Sequence, residues 1–162
     1  MDTTWKTIVW RQFGAAIQML ENALLACPDA LWSDRSRPPA VWYSVYHALF
    51  YLDLYLSDGV EGFAPPAPFT LSELEKDVLP ERVYTKDELH AYLVHGREKC
   101  RAAIETMTEE RASRRCGFDW VDASNAELLL YNMRHVQHHA AQLNLVLREA
   151  TGVSPGWVRT AS

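Results

Sequence analysis

The sequence predicts an all-α protein, a four-helix bundle that forms a single domain over residues 1–162. Long segments carry apolar residues at the three- and four-residue spacing of amphipathic helices, and no strand-length run alternates apolar and polar residues. Prolines and glycines divide the chain into four such segments, near 4–26, 38–57, 85–113 and 124–150. With 162 residues, 48% of them hydrophobic, the chain can bury a sizeable core. Four long helices in one domain indicate a bundle.

The first two helices are bounded by prolines and a glycine. Pro28 ends the first helix, Pro38 and Pro39 are predicted to lie in the first turn of the second, and Gly59 follows its end. The second helix is apolar nearly all round, so both of its faces must be covered. A homodimer would cover the second face, and so would a long connection folded over it. Asp53, the only charged residue in the middle of this helix, is either a hydrogen-bond acceptor behind a metal ligand or an exposed break in the outer face, and its position about 120° from His47 favours the exposed break.

A long, proline-rich connection over residues 58–84 separates the second helix from the third. Ser72 and Glu75 have the spacing of a capping box, which predicts a short helix near 73–79. Connections of this length in a compact domain are often functional. The phenylalanines and leucines of this one are expected to pin it to the bundle, where it would form one wall of a substrate pocket.

Capping signals mark the start of the last two helices. Thr85 and Glu88 form a capping box at the start of the third helix. Either Asp122 or Ser124 is expected to cap the fourth, and Gly152 follows its end as a stop signal.

The composition of the chain excludes several classes of partner. A formal charge of −5 and a pI near 5.6 argue against sequence-independent binding of nucleic acid, which needs clustered positive charge. No apolar run reaches the length of a membrane span, and the first residues lack the order of a signal peptide. The three cysteines show no close pairing motif, which favours a reducing compartment. We therefore expect a cytoplasmic protein that binds neither nucleic acid nor membrane.

Candidate metal ligands lie on the fourth helix. His135 and His139 are one helical turn apart, on the same face as Gln142. Two imidazoles at this spacing can bind one metal ion if other parts of the fold supply further ligands. His47, the only basic group of the apolar second helix, is the best remote donor. The spacing also fits histidines that are hydrogen-bonded in a core, and His138 could replace a ligand or support one.

A substrate pocket is predicted beside this ion, bounded by residues 60–80. Tyr43, Tyr51 or Tyr131 would line it, because they share helix faces with the candidate ligands. The alternative is that these tyrosines are ordinary core aromatics. The sequence names no catalytic residue, since it lacks the nucleophile setting of a serine hydrolase, a glycine-rich phosphate loop and the repeated Glu-x-x-His of di-iron bundles.

Two histidine motifs can be aligned with a known family. They are Trp42-x-x-x-x-His47 in the second helix and His135-Val-Gln-His138-His139-Ala-Ala-Gln142 in the fourth. With the long second-to-third connection and the chain length, they resemble the DinB-like superfamily, which includes the YfiT-type proteins. The resemblance implies a four-helix bundle that holds a divalent metal through His47, His135 and His139. Many members carry Arg-Gly where this chain has Ala140-Ala141, which leaves the subgroup open.

The resemblance also implies a class of activity. Members of known activity include thiol-dependent transferases and isomerases that use bacillithiol, mycothiol or glutathione, and proposed metal hydrolases. We therefore expect a metal-dependent enzyme of the thiol S-transferase type, a homodimer that acts on a small-molecule substrate with a low-molecular-weight thiol. A metal-dependent hydrolase and a non-catalytic bundle that binds a ligand or a partner are the alternatives. Zinc, nickel and iron all suit three imidazole ligands.

Overall fold

The computed structural model describes residues 2–34, 36, 38–76 and 78–162 of the chain, and over them it confirms the predicted all-α fold. The four long helices are α1 (Thr3–Ala26), α3 (Val41–Leu54), α4 (Lys86–Thr106) and α6 (Asn125–Thr151). The shorter elements are α2 (Asp29–Trp32), a 3-10 helix (Leu71–Leu74) and α5 (Glu109–Ser113). The described residues form no strand, and their isolated β-bridge joins Arg115 to Ser124.

The four long helices form a bundle around one core. α1 and α3 each pack against both α4 and α6, so α1 and α3 occupy opposite corners. The largest fully buried side chains belong to a single cluster and include Phe13, Ile17, Tyr46, Phe50, Leu89 and Tyr92. This arrangement makes α3 and α6 neighbours, which brings the two histidine-bearing helices into contact.

Helix starts follow the predicted capping signals. Thr85 and Glu88 form both hydrogen bonds of a capping box at α4. Ser124, not Asp122, caps α6, and forms a second capping box with Glu127. Gly152 ends α6 in the left-handed region, with φ 78°, a conformation that glycine adopts without steric cost.

The second predicted helix is shorter than expected at both ends. It begins at Val41 rather than at Pro38, because Ala40 is extended, with φ −60° and ψ 150°. Pro38 precedes another proline and is therefore disfavoured in the helical region, so the two prolines lie before the helix instead of in its first turn. The helix ends at Leu54, three residues before the predicted Ser57.

The predicted third helix, 85–113, is two helices. Met107, between α4 and α5, is extended, with φ −60° and ψ 119°, and its side chain is buried in the core. Thr108 then caps α5 by accepting a hydrogen bond from the backbone N–H of Arg111. The apolar repeat of the sequence continues across this new helix start. For this reason the sequence predicted one helix where the structure has two.

The α3–α4 connection (residues 55–85) covers α3. Phe63 packs edge-on against Phe50 of α3, with ring centroids 5.5 Å apart, and Phe69 stacks on Tyr46 of α3 at 6.0 Å. Its own chain therefore buries the second apolar face of α3, so this helix provides no argument for a partner subunit. In place of the short helix predicted near 73–79, the connection forms the 3-10 turn Leu71–Leu74, capped by Thr70 rather than Ser72; position 77 lies outside the described residues.

Asp53 is buried, so its interpretation as an exposed break in α3 is wrong. Its side chain is 1% exposed. One carboxylate oxygen accepts a hydrogen bond from the hydroxyl of Tyr92 at 3.1 Å, and the other is 2.5 Å from Nζ of Lys99. Both partners lie on α4, which packs against this side of α3.

Among the described residues, no helix combines the length and hydropathy needed to span a bilayer.

Candidate metal centre

The structure brings the three predicted metal ligands together. His47 projects from α3, and His135 and His139 project from consecutive turns of α6. Nε2 of His135 lies 3.3 Å from Nε2 of His47 and 3.2 Å from Nε2 of His139. One ring nitrogen from each of the three residues lies within 4.8 Å of the other two. That these three residues bind a metal ion stays a prediction. The spacing and the protonation of their rings bear on it.

The spacing of the ring nitrogens fits a tetrahedral metal ion. Imidazole nitrogens at roughly 2.0–2.1 Å from a tetrahedral ion are separated from one another by roughly 3.3 Å. The two measured separations, 3.3 and 3.2 Å, agree with this value. Without a cation, three neutral rings would point lone pairs or N–H groups at one another. The buried Nδ1 atoms of His135 and His139 have no hydrogen-bond partner among the described residues.

His135 and His139 are neutral at physiological pH. Burial, followed by the neighbouring imidazoles, lowers the pKa of His135 to about 3 and that of His139 to about 4. A metal ion binds the neutral form of imidazole, so its binding at these two residues does not first require the loss of a proton at neutral pH.

A buried carboxylate lies behind His47. Nδ1 of His47 is 2.5 Å from Oε1 of Glu73, and the Glu73 side chain is only 4% exposed. The hydroxyl of Tyr43 donates to the same oxygen at 3.2 Å. Burial and the Glu73 charge raise the pKa of Tyr43 to about 12, so its hydroxyl remains a donor. A carboxylate that accepts from Nδ1 leaves Nε2 free to bind a metal, which is a common arrangement behind metal-binding histidines.

Glu73 was missed from the sequence. It is 26 residues from His47, in an irregular connection, and no spacing rule relates the two positions. The one available signal was an acidic residue inside the proline-rich segment that was expected to form a wall of the substrate pocket. Tyr43 was predicted to line the pocket, but its hydroxyl instead donates a hydrogen bond to Glu73.

A cleft of about 430 Å³ opens beside the three imidazoles. The residues that line it are His47, Tyr51, Tyr55, Leu74, Trp120, Tyr131 and His135. Of the predicted tyrosines, Tyr51 and Tyr131 line the cleft, and Leu74 comes from the predicted wall. Tyr55 and Trp120 were not predicted; Trp120 lies between α5 and α6 and donates from Nε1 to the Tyr55 hydroxyl at 3.1 Å.

Two other polar residues of α6 lie outside the centre. His138 is exposed and does not belong to the convergent group, although its ring centroid is 5.3 Å from that of His139. Gln142 is also exposed, although its side chain interacts with His139 and so acts to raise the pKa of that imidazole. A larger groove, of about 590 Å³, lies beside α1 and α6 and shares only His135 and Tyr131 with the cleft. The smaller cleft contacts two of the three candidate ligands and is therefore the candidate substrate site.

The fold and the site define a four-helix bundle with a candidate three-histidine metal centre between its second and fourth long helices. The family model of the DinB superfamily matches residues 12–143, which include all three histidines. The chain therefore belongs to the DinB superfamily, and the resemblance seen in its motifs is confirmed.

A solved structure shows the same fold. The chain is similar to a DinB-like protein, YjoA, from Bacillus subtilis, with a TM-score of 0.63 and 21% sequence identity. The match covers 91% of this chain and 95% of that one. The search of curated proteins found no match.

Proposed function

We propose that this protein is a metal-dependent enzyme of the thiol S-transferase type. The observation that carries the proposal is the convergence of three imidazole nitrogens beside an open cleft. His47, His135 and His139 would hold a divalent ion, with zinc, nickel and iron as the candidates. When bound, such an ion supplies a Lewis-acid position at which a thiol loses its proton at neutral pH. The alternative on the same residues is hydrolysis, in which water takes the place of the thiol.

Aromatic side chains would position the substrate. The Tyr51 ring centroid lies 4.9 Å from that of His47 and 5.6 Å from that of His135. Burial raises the pKa of Tyr51, so at neutral pH its hydroxyl can donate a hydrogen bond to an electrophile or a thiol substrate. The ring of Trp120 forms another wall of the cleft. A cleft of about 430 Å³ lies within the size range of small-molecule sites.

Conjugation of a generic electrophile with cellular thiols tests the proposal. The protein is purified without a His tag and loaded with zinc or nickel. With at least one low-molecular-weight thiol, it should conjugate the electrophile faster than the uncatalysed reaction proceeds. His139→Ala removes one candidate ligand, so its rate should fall to the uncatalysed background. Equal rates for wild type and His139→Ala with every thiol would reject the transferase. Metal-dependent cleavage of esters or amides would then support the hydrolase, and no turnover of any kind would leave the non-catalytic bundle.

A reducing compartment suits this chemistry, and we propose that the protein works in the cytoplasm. Cys27, Cys100 and Cys116 are free and buried. Burial raises the pKa of the Cys27 and Cys100 thiols, so both stay protonated. The thiol that reacts would therefore come from a substrate and not from these two side chains.

We also propose that the protein is a homodimer that buries helix faces. The groove beside α1 and α6 is lined by a mixture of apolar and polar side chains, and its Trp157 and Tyr131 are 70% and 39% exposed. We expect sedimentation at tens of micromolar to give a dimer. Ala141→Glu places a charge in this groove and should produce a monomer, whereas Ala102→Glu on the exposed face of α4 should not. A monomeric wild-type protein would contradict the proposal.

A further inference from the structure

Glu73 connects the α3–α4 connection to the candidate metal centre. Its Oε1 lies 2.5 Å from Nδ1 of His47 and accepts from the Tyr43 hydroxyl at 3.2 Å. The other oxygen, Oε2, is buried and has no hydrogen-bond partner among the described residues. Burying a carboxylate is costly, so this placement has to be offset by the hydrogen bonds that Glu73 accepts.

The 3-10 turn Leu71–Leu74, which carries Glu73, has one other polar attachment to the bundle: the Tyr46 hydroxyl donates to the carbonyl of Thr70, the residue before the turn, at 3.1 Å and interacts with the side chain of Ser72. None of its residues is buried as a whole; Leu71 is 43% exposed and Leu74 is only partly buried against the core. The aromatic anchors of the connection, Phe63 and Phe69, lie before the turn. The contacts of the Glu73 carboxylate with His47 and Tyr43 are therefore one of two polar attachments of the turn, beside that of Tyr46.

We infer that Glu73 is a positioning residue of the metal centre and couples metal binding to the docking of the Leu71–Leu74 turn. By accepting from Nδ1–H, Glu73 fixes the tautomer and ring orientation that direct Nε2 of His47 at the other two imidazoles. An ion on Nε2 makes Nδ1–H a stronger donor, which strengthens the hydrogen bond to the carboxylate. Coupling between two sites is reciprocal. The factor by which Glu73 raises metal affinity is therefore also the factor by which bound metal shifts the turn toward its docked position. The inference rests on the metal binding of the proposed function, but not on the reaction.

Metal affinity is the first measurement. Zinc binding, measured by competition with a chromophoric chelator, should be about 10- to 100-fold weaker in Glu73→Ala than in wild type. Glu73→Gln keeps a neutral acceptor for Nδ1–H and should lose less. The matched control is Glu75→Ala, which removes an exposed carboxylate two residues away and should bind zinc like wild type. Circular dichroism checks that each variant is folded, and Glu73→Gln tests the inference if Glu73→Ala does not fold.

Amide hydrogen exchange measures the other half of the coupling. The backbone N–H of Glu75 donates to the carbonyl of Ser72 at 3.0 Å, so its exchange reports opening of the turn. Zinc should slow this exchange in wild type by the same factor by which Glu73→Ala weakens zinc binding. In Glu73→Ala, zinc should leave it unchanged. The N–H of Phe63, bonded to the carbonyl of Val60 in the same connection, serves as the internal control and should respond in neither protein.

The two measurements separate this inference from the proposed function. A wild-type protein that binds none of zinc, nickel and iron would overturn the proposed function. A wild-type protein that binds zinc, together with a Glu73→Ala variant of equal affinity, would overturn only the positioning role of Glu73. Weaker binding in Glu73→Ala without any effect of zinc on Glu75 exchange in wild type would overturn the coupling.

Discussion

Zinc or nickel should bind His135→Ala at least about a hundredfold more weakly than it binds the wild-type chain. Nε2 of His135 lies 3.3 Å from that of His47 and 3.2 Å from that of His139, so this residue joins the other two ligands. Structural zinc sites with four ligands bind with about 10–16 kcal/mol, or roughly 3 kcal/mol for each ligand. A loss of roughly 3 kcal/mol corresponds to about a hundredfold in affinity.

The neighbouring histidine provides the matched control for this experiment. His138 is exposed and lies outside the convergent group, so His138→Ala should bind metal like wild type. Elemental analysis of protein purified without a His tag, followed by a competition titration, measures both variants. Full metal occupancy in His135→Ala would contradict the three-histidine site. A large loss in His138→Ala instead would move the ligand assignment to that residue.

Local signals explain why most of the fold could be predicted from the sequence. Capping boxes need residues only three positions apart, and the boxes begun by Thr85 and Ser124 start α4 and α6 in the structure. The break at Met107 could not be predicted in this way, because the apolar repeat of α4 continues into α5. α4 ends where Met107 turns its side chain into the core, and this burial depends on tertiary packing that local spacing does not show.

The same distinction between local and distant signals holds for the candidate site. His135 and His139 form a local pair, and His47 stood out as the only basic residue of an apolar helix, although it is 88 residues from His135. Glu73 had no comparable signal, because it lies in an irregular segment. Asp53 was misinterpreted for a related reason. Its position on α3 could be read from the helical period, but its partner Lys99 is 46 residues away on α4.

Asp53 forms a second polar cluster in the bundle, at the interface of α3 and α4. Its carboxylate is 2.5 Å from Nζ of Lys99, which also donates to the backbone carbonyl of Asp53 and to the hydroxyl of Ser57. Nε2 of His95 is 3.6 Å from the same carboxylate oxygen. The other carboxylate oxygen accepts from Tyr92, whose side chain is fully buried. The carboxylate therefore accepts hydrogen bonds from two α4 side chains, Tyr92 and Lys99, and a third, His95, lies nearby.

Asp53→Ala should lower the free energy of unfolding by about 3 kcal/mol, the lower end of the range for breaking a buried ion pair. The variant leaves the Tyr92 hydroxyl buried without its acceptor and Lys99 without its counter-charge. The Lys99 side chain is 30% exposed and can turn toward water, which is why the lower end of the range applies. Urea unfolding followed by circular dichroism measures the change as a shift of the midpoint.

An exposed ion pair between an aspartate and a basic residue calibrates this result. Asp58 pairs with Arg111 at 2.9 Å, but its side chain is 93% exposed, so Asp58→Ala should cost at most about 1 kcal/mol. In the double variant Asp53→Ala/Lys99→Met the unpaired charge is absent, and stability should recover part of the loss. If Asp53→Ala were no less stable than Asp58→Ala, the buried carboxylate would not hold α3 and α4 together. The α3–α4 interface would then depend on apolar packing alone, including the contact between Leu52 and Gly96, where an added Cβ would lie 2.9 Å from the leucine side chain.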